Sequence, residues 1–465
     1  MPSSEATITV VSPNTGVPIG SVAEAREADV DAAVAAARVA FDGRGAWPRL
    51  SCSNRAAAMR RFAEQLDLRK DEFARAVSAQ NGMPIAVSSQ VEAAFPATLL
   101  RYYADLIEAQ QDDRRSGLFG GTVDVLREPV GVVAAIAPWN FPQTMAFCKI
   151  APALAAGCTV VLKPSPETVY DAVLLGEAAA AAELPAGVLN IVPAGRDVGA
   201  YLVAHPGVDK VAFTGSTAAG RQVAETCGRL LRPVSLELGG KSAAIILEDA
   251  VLDLGTIGAD LFGATFANNG QTCYLSTRIL APASRHSEVV EAITEFASSL
   301  RIGESLDPDT QIGPLAGERH RERVEGYITK GRADGGKITT GGRRPADRSA
   351  GWFVEPTVFT DLDAASAVAQ DEIFGPVVVV LPYTDEDDAV RIANESSYGL
   401  AGSVWTADPG RGRALARRMH TGSVGINGYV PDPVGPIGGV KNSGIGRELG
   451  PEGLASYQNL KSVFS

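Results

Sequence analysis

Five short runs, Gly131–Ala137, Thr159–Leu162, Val188–Val192, Lys210–Phe213 and Val234–Leu238, are apolar on nearly every residue, and helical patterns fill the gaps between them. A strand apolar on both faces has to be covered on both faces, so strands alternating with helices predict a parallel sheet between two helical layers. The fold class is therefore α/β, with a doubly wound parallel-sheet domain. After Lys241 a second α/β series begins: a strand at Ala243–Leu247, a helix near Leu261–Ala267, a strand at Leu275–Ala281 and a helix from Ser287 onward. Upstream, Val30, Val34, Ala37 and Phe41 recur at helical spacing, with Gly43 and Gly45 as stop signals.

Two segments fit neither series. Leu118–Val133, with Gly120-Gly121 near its start, and Leu454–Val463 alternate like extended arms. Exposed strands need a partner, either on the same chain or by strand addition in a symmetric oligomer, a homodimer or homotetramer. Gly335-Gly336 and Gly341-Gly342 read as turns, and no internal repeat is visible.

With 465 residues, 45% hydrophobic and 21% charged, the chain can build more than one core. A net charge of −12 disfavours nucleic acid and anionic lipid surfaces as partners. Five cysteines without a CxxC pair suggest reduced thiols and a cytoplasmic setting. The start, Met1 to Glu5, shows no secretory pattern, and apolar runs such as Ala178–Ala182 are too short to cross a bilayer.

Cys52, Cys148, Cys158 and Cys227 read as small core residues. Cys273 differs, because it ends the run Asn268-Asn269-Gly270-Gln271-Thr272, where backbone can approach a ligand and a thiolate can be solvated. With Glu237, in Leu236-Glu237-Leu238-Gly239-Gly240-Lys241, it forms a nucleophile and carboxylate base suited to covalent oxidation of an aldehyde. No metal is needed for that chemistry.

Six ordered motifs accompany the pair. They are Pro138-Trp139-Asn140-Phe141-Pro142, Leu162-Lys163-Pro164-Ser165, Phe213-Thr214-Gly215-Ser216-Thr217, Gly270-Gln271-Thr272-Cys273, Glu372-Ile373-Phe374-Gly375-Pro376 and Ser443-Gly444-Ile445-Gly446-Arg447-Glu448. From about residue 8 to its end the chain resembles the NAD(P)-dependent aldehyde dehydrogenase superfamily.

The resemblance implies a nucleophilic Cys273, a basic Glu237 and an Asn140 amide directed at the substrate oxygen, with Lys149 and Glu448 as an ion pair or proton path near the base. It implies cofactor contacts from Ala137, Pro138, Trp139, Lys163, Ser165, Gly215, Ser216, Gly220, Leu238, Glu372 and Phe374. The cofactor is NAD, with NADP tolerated, because Pro166 stands where many NAD-using relatives carry a ribose-clamping Glu and Glu167 falls one residue later. It further implies a dinucleotide-binding domain of 1–117 and 134–239, a catalytic domain of 240–429, and oligomerisation arms at 118–133 and 446–465.

Ile437 and Val440 replace aromatic residues of the family and alter the pocket's surroundings. Phe141 and Met145 supply apolar walls, Thr144, Cys148 and Ala267 leave room, and Tyr274 and Leu275 follow the nucleophile. An apolar, medium-chain or aromatic aldehyde is expected. Three other readings stand beside this one: a CoA-acylating branch, which generally lacks the Glu237 carboxylate, a cysteine hydrolase pairing Cys273 with His205, His286, His320 or His420, and a non-catalytic binding or structural role, which the presence of nucleophile, base and amide donor together disfavours.

Overall fold

A computed structural model describes residues 5–43, 47–111 and 113–465, so the opening Met1 to Ser4 and the stop signal at Gly45 lie outside the described residues. The five predicted strands form at Val132–Ile136, Thr159–Lys163, Leu189–Ile191, Lys210–Thr214 and Val234–Glu237, and they pair with one another in parallel. Their apolar continuity has the expected cause. Val133 and Ala135 face one helical core, whereas Val132, Ala134 and Ile136 face another on the opposite side.

Chain order across this sheet reverses between Val132–Ile136 and Lys210–Thr214: the first strand leads outward to Thr159–Lys163, and the chain then returns to the other side. Such a switch point opens a crevice at the carboxyl ends of the strands. Ala137 to Asn140 leave one of these two ends and Gly215 to Gly220 leave the other. A short antiparallel strand, Gly444–Ile445, closes the edge against Val234–Glu237.

The second sheet has seven strands, in the order Lys337–Thr340, Thr357–Thr360, Val377–Tyr383, Arg278–Pro282, Ala243–Ile246, Gly402–Trp405 and Gly425–Ile426. It too is covered on both faces, with Ala243 and Ile245 in one core and Ala244 and Ile246 in the other. The strand expected from Leu275 begins only at Arg278, because Leu275 N and Ser276 N are engaged outside the ladder, donating to the Thr272 and Ala264 carbonyls. The predicted helix with Val30, Val34 and Ala37 inward runs Glu27–Asp42 and ends on Gly43, whose N–H donates to the Val39 carbonyl at 3.1 Å.

The extended segments pair with each other on the same chain. Asp113–Ser116, Thr122–Pro129 and Gln458–Phe464 form a three-stranded antiparallel sheet. The hairpin thus starts before Leu118, Val132 and Val133 already belong to the central sheet, and Gly450–Ala455 is helical. Leu118, Phe119, Leu460 and Phe464 remain exposed. Among the described residues no helix is long and apolar enough to cross a membrane, and all five cysteines are free, with Cys52 exposed rather than in the core.

Candidate active site

The nucleophile sits at the end of a strained turn. Asn268, Asn269 and Gly270 take left-handed backbone angles in succession, φ 53°, 61° and 76°, a conformation Asn and Gly tolerate best. A Cβ at Gly270 would lie 2.1 Å from the Gly375 carbonyl oxygen. Buried hydrogen bonds hold the turn. Asn269 Nδ2 donates to the Gly82 and Pro314 carbonyls at 2.9 Å each, Gly313 N donates to Asn269 Oδ1, Ala316 N donates to Gln271 Oε1, and Thr272 Oγ1 donates to the Ala267 carbonyl.

The polar run before Cys273 therefore does not solvate a thiolate as its composition suggested. Asn268, Asn269 and Gln271 are fully buried and serve as pins. Burial pushes the Cys273 thiol up to about 12, with the Glu372 and Glu237 carboxylates adding to it.

Asn140 follows the switch-point strand. Its Nδ2 donates one hydrogen to the Gln271 carbonyl at 2.9 Å, which aims the amide and leaves its second hydrogen for another acceptor. Its own carbonyl accepts from Asn268 Nδ2 and, on the other side, from Asn81 Nδ2. Glu237 ends its strand, where Gly215 N donates to its main-chain oxygen at 3.0 Å and Leu238 N donates to Ser443 O. Burial raises its carboxyl well above the usual range and Glu448 adds to this, while Lys149 and Arg447 oppose it.

Glu237 Oε1 is buried without a hydrogen-bond partner among the described residues. Gly438 (φ 149°) makes room for it, since a Cβ there would approach Oε1 to 2.7 Å. Behind it Lys149 Nζ, fully buried, donates to Glu448 Oε1 at 2.7 Å and to Thr214 Oγ1 at 2.6 Å.

These groups share one cleft of about 1300 Å³. Cys273, Asn140, Glu237 and Glu448 line it together with Pro138, Trp139, Gly215, Ser216, Leu238, Glu372 and Phe374. Of the other named residues, Lys149 stands behind Glu448, while Ala137, Lys163, Ser165 and Gly220 are not in the lining. Lys163 is buried and turns Nζ to the Pro164 and Ala194 carbonyls, burial lowering it to about 8. Gly220 packs its helix onto the sheet, because a Cβ would meet Leu238 at 2.4 Å.

The cleft's polar half fits a nicotinamide dinucleotide. Helix Thr217–Arg229 opens there with Ser216 as N-cap, its Oγ accepting from Ala219 N; the first-turn N–H groups of a helix lack intrahelical acceptors and suit a pyrophosphate. Glu372 projects into the same half, raised to about 7 by burial, with Gly240 N donating to its Oε1 at 3.0 Å. The paired glycines explain themselves: a Cβ at Gly239 would strike Glu372 Oε2 at 2.4 Å, and one at Gly240 the Cys273 carbonyl at 2.2 Å.

Arg319 and Arg323 also line this half, and local sequence offered no sign of them. Glu167 corrects the view of Pro166: Ser165 Oγ donates to Glu167 Oε2, and Glu167 is the first charge opposing the fall of Lys163. A carboxylate is displaced by one residue, not lost.

The other half is apolar. Phe141, Met145, Thr144, Cys148, Ala267 and Tyr274 line the cleft as expected, joined by Val87, Val91, Phe95, Phe262, Tyr429 and Ile437. Leu275 is buried elsewhere, and Val440 pairs with Gly399 outside the lining. Of the four histidines only His320 reaches the cleft; its Nε2 donates to the Phe374 carbonyl at 2.6 Å, and burial lowers it to about 4, so it stays neutral.

Comparison with known proteins agrees. The aldehyde dehydrogenase family model matches residues 1–463. The chain belongs to the aldehyde dehydrogenase family. This aldehyde dehydrogenase is 54% identical over 447 residues to geranial dehydrogenase of Castellaniella defragrans, covering 96% of the chain and 92% of the relative. It superposes on a Mycobacterium tuberculosis aldehyde dehydrogenase complexed with NAD+ at a TM-score of 0.96, with 47% identity over 100% of this chain and 95% of the other. A Pseudomonas syringae aldehyde dehydrogenase mutant complexed with NAD+ and octanal matches at 0.95, with 37% identity over 99% of this chain and 94% of its own.

Proposed function

We propose that the enzyme oxidises an apolar aldehyde to its carboxylic acid with NAD+, through a thioester on Cys273. The observation that carries this reading is one cleft lined by Cys273, Asn140 and Glu237 together with Gly215 and Ser216 at a helix start, with Glu372, and with the apolar Phe141, Met145 and Phe262. Once Glu237, ionised, has taken the thiol proton and passed it toward Glu448, the Cys273 sulfur adds to the carbonyl carbon and the carbonyl electrons move to oxygen. The second Asn140 Nδ2 hydrogen and the Cys273 N–H meet that oxygen, a contribution of roughly 3–4 kcal/mol for such a donor. A bound nicotinamide dinucleotide would supply the oxidant, a hydride acceptor for the former aldehyde carbon.

Glu237, ionised, takes a proton from the water that attacks the thioester, and departure of the acid regenerates the thiolate. Glu448 and Lys149 hold a route for that proton away from Glu237. Pro138, Trp139, Gly215, Ser216 and Leu238 would flank the cofactor, Glu372 would take ribose hydroxyls and Phe374 would pack beside them, with Ala137, Lys163, Ser165 and Gly220 supporting the adenosine end. Glu237 favours hydrolysis over transfer to CoA, and the His320 bond to Phe374 leaves no free histidine base for a hydrolase.

The apolar half favours a medium-chain or aromatic substrate, each buried CH₂ contributing about 0.8 kcal/mol. A relative named for geranial and a neighbour solved with octanal support the choice. Absorbance at the reduced nicotinamide band, across an aldehyde panel with NAD and NADP, tests it. Octanal and benzaldehyde should exceed acetaldehyde and betaine aldehyde in kcat/KM, and the reverse order would refute the apolar pocket.

The same reading assigns the chain before Asp113 and from Val132 to Gly239 to cofactor binding, 240–429 to catalysis, and the three-stranded arm sheet to assembly as a homodimer or homotetramer. The exposed Leu118, Phe119, Leu460 and Phe464 and the open strand edges support assembly. Light scattering of the purified enzyme should give a multiple of the 48.4 kDa chain.

A further inference from the structure

We propose that Tyr274 and Tyr429 form an aromatic wall beside Cys273 that selects aldehydes conjugated to a π system and directs the thiol to their carbonyl carbon rather than their β-carbon. This inference rests on the apolar-aldehyde reading and narrows it. Tyr274 follows the nucleophile directly, and both rings line the cleft with Cys273. Their centroids are 4.8 Å apart at 40°, so they act as one surface.

Tyr429 is also held in place. Its hydroxyl shares a 2.7 Å hydrogen bond with Ser423 Oγ. The preceding Gly428 (φ 151°) passes close to Asp260, where a Cβ would come within 3.2 Å. Both rings line the cleft that the Cys273 thiol opens into, and burial raises both phenols, Cys273 adding to it. The aliphatic lining has another location: Val87, Val91 and Met145 cluster with Phe141. A saturated chain gains from that cluster, whereas a planar C=C–C=O group can also stack on the tyrosines.

Stacking matters because a conjugated aldehyde offers two electrophilic carbons. Addition at the carbonyl carbon forms the S–C1 bond and sends the C=O electrons to oxygen, the productive route. Addition at the β-carbon forms an S–C3 bond, breaks the C=C bond and takes a proton at C2, leaving a saturated thioether that blocks Cys273. A conjugated plane held flat on a fixed wall presents one of these carbons to sulfur and withholds the other.

The matched pair octanal and trans-2-octenal tests the wall with NAD+. In Tyr429→Leu the octenal/octanal ratio of kcat/KM should fall about three- to tenfold, the range of one offset aromatic contact. Intact-protein mass spectrometry during octenal turnover should show the dead-end adduct, one enal mass on Cys273, accumulating several times faster. Tyr429→Phe, which keeps the ring face, should retain the ratio. If Tyr429→Leu does not fold, Tyr274→Leu carries the same prediction.

An unchanged ratio with an unchanged adduct rate overturns the wall, as does equal loss for both aldehydes. Absence of turnover with either aldehyde in the unmodified enzyme overturns the apolar-aldehyde reading instead.

Discussion

Asn268 donates from Nδ2 to the main-chain oxygen of Asn140 at 2.9 Å, so the turn carrying the nucleophile and the turn carrying the amide donor are tied together although 128 residues separate them. Asn268 also occupies a left-handed backbone position. Asn268→Gly should keep that conformation and lose the tie, whereas Asn268→Ala should lose both. We expect kcat to fall about tenfold or more in each, since small misplacements of reacting groups are costly. Only Ala should add a backbone penalty of about 1 kcal/mol, read as a lower Tm.

Cys273→Ala should abolish aldehyde oxidation and leave dinucleotide binding nearly unchanged by calorimetry, because the thiol is required for the chemistry and not for holding the adenosine or pyrophosphate. Glu237→Gln should behave differently. Rapid mixing should show at most one equivalent of reduced nicotinamide followed by a stalled steady state; normal steady-state turnover would remove Glu237 as the essential base.

A thiol near 12 is almost wholly protonated at neutral pH. Iodoacetamide modification of Cys273 in the free enzyme should therefore rise close to tenfold per pH unit from about pH 7 to 9. A plateau near pH 7 would show a thiolate already formed.

Glu237 is raised partly by Glu448 and lowered by Lys149. Glu448→Gln removes the first influence and keeps the second, so the acid limb of the pH profile of kcat should move to lower pH. Movement upward, or none, would sever the electrostatic link between the two carboxylates.

Glu92, buried, accepts from Gln143 N at 2.7 Å and Thr144 N at 3.4 Å at the start of helix Pro142–Ala156, and burial raises it to about 8 from 4.5. Because the folded state binds this proton more tightly than the unfolded state, its contribution is complete below about pH 4.5 and is lost as pH rises through 8. Denaturation midpoints of the parent enzyme should fall relative to Glu92→Gln across that window. Parallel midpoints would argue against a titrating Glu92.

The displaced carboxylate gives a cofactor prediction. Glu167 lies by Ser165 and Lys163, where a 2′-phosphate would meet its charge. Glu167→Gln should raise kcat/KM for NADP relative to NAD several-fold, and an unchanged ratio would place the discrimination elsewhere.

Strand positions were legible in the chain because a strand covered on both faces has little choice but continuous apolar residues, as Val132 to Ile136 show. Cys273, Glu237 and Asn140 could be singled out because their motifs are local, and the structure brings the three into one cleft; the Lys149–Glu448 ion pair followed from the same resemblance. What stayed hidden was every property set by distant neighbours. Asn269 looks like a ligand-facing turn residue until Gly82 and Pro314 arrive as its acceptors. Gly438 has no meaning until Glu237 Oε1 occupies the space it leaves. Sequence by itself determined which groups are present and which segments alternate; only the tertiary structure decided that Asn268, Asn269 and Gln271 are buried pins of the Cys273 turn, that Glu167 takes up a place beside Ser165, and that Tyr429 stands with Tyr274. The reason is physical: burial and close contact depend on approaches between segments up to hundreds of residues apart, which no local pattern encodes.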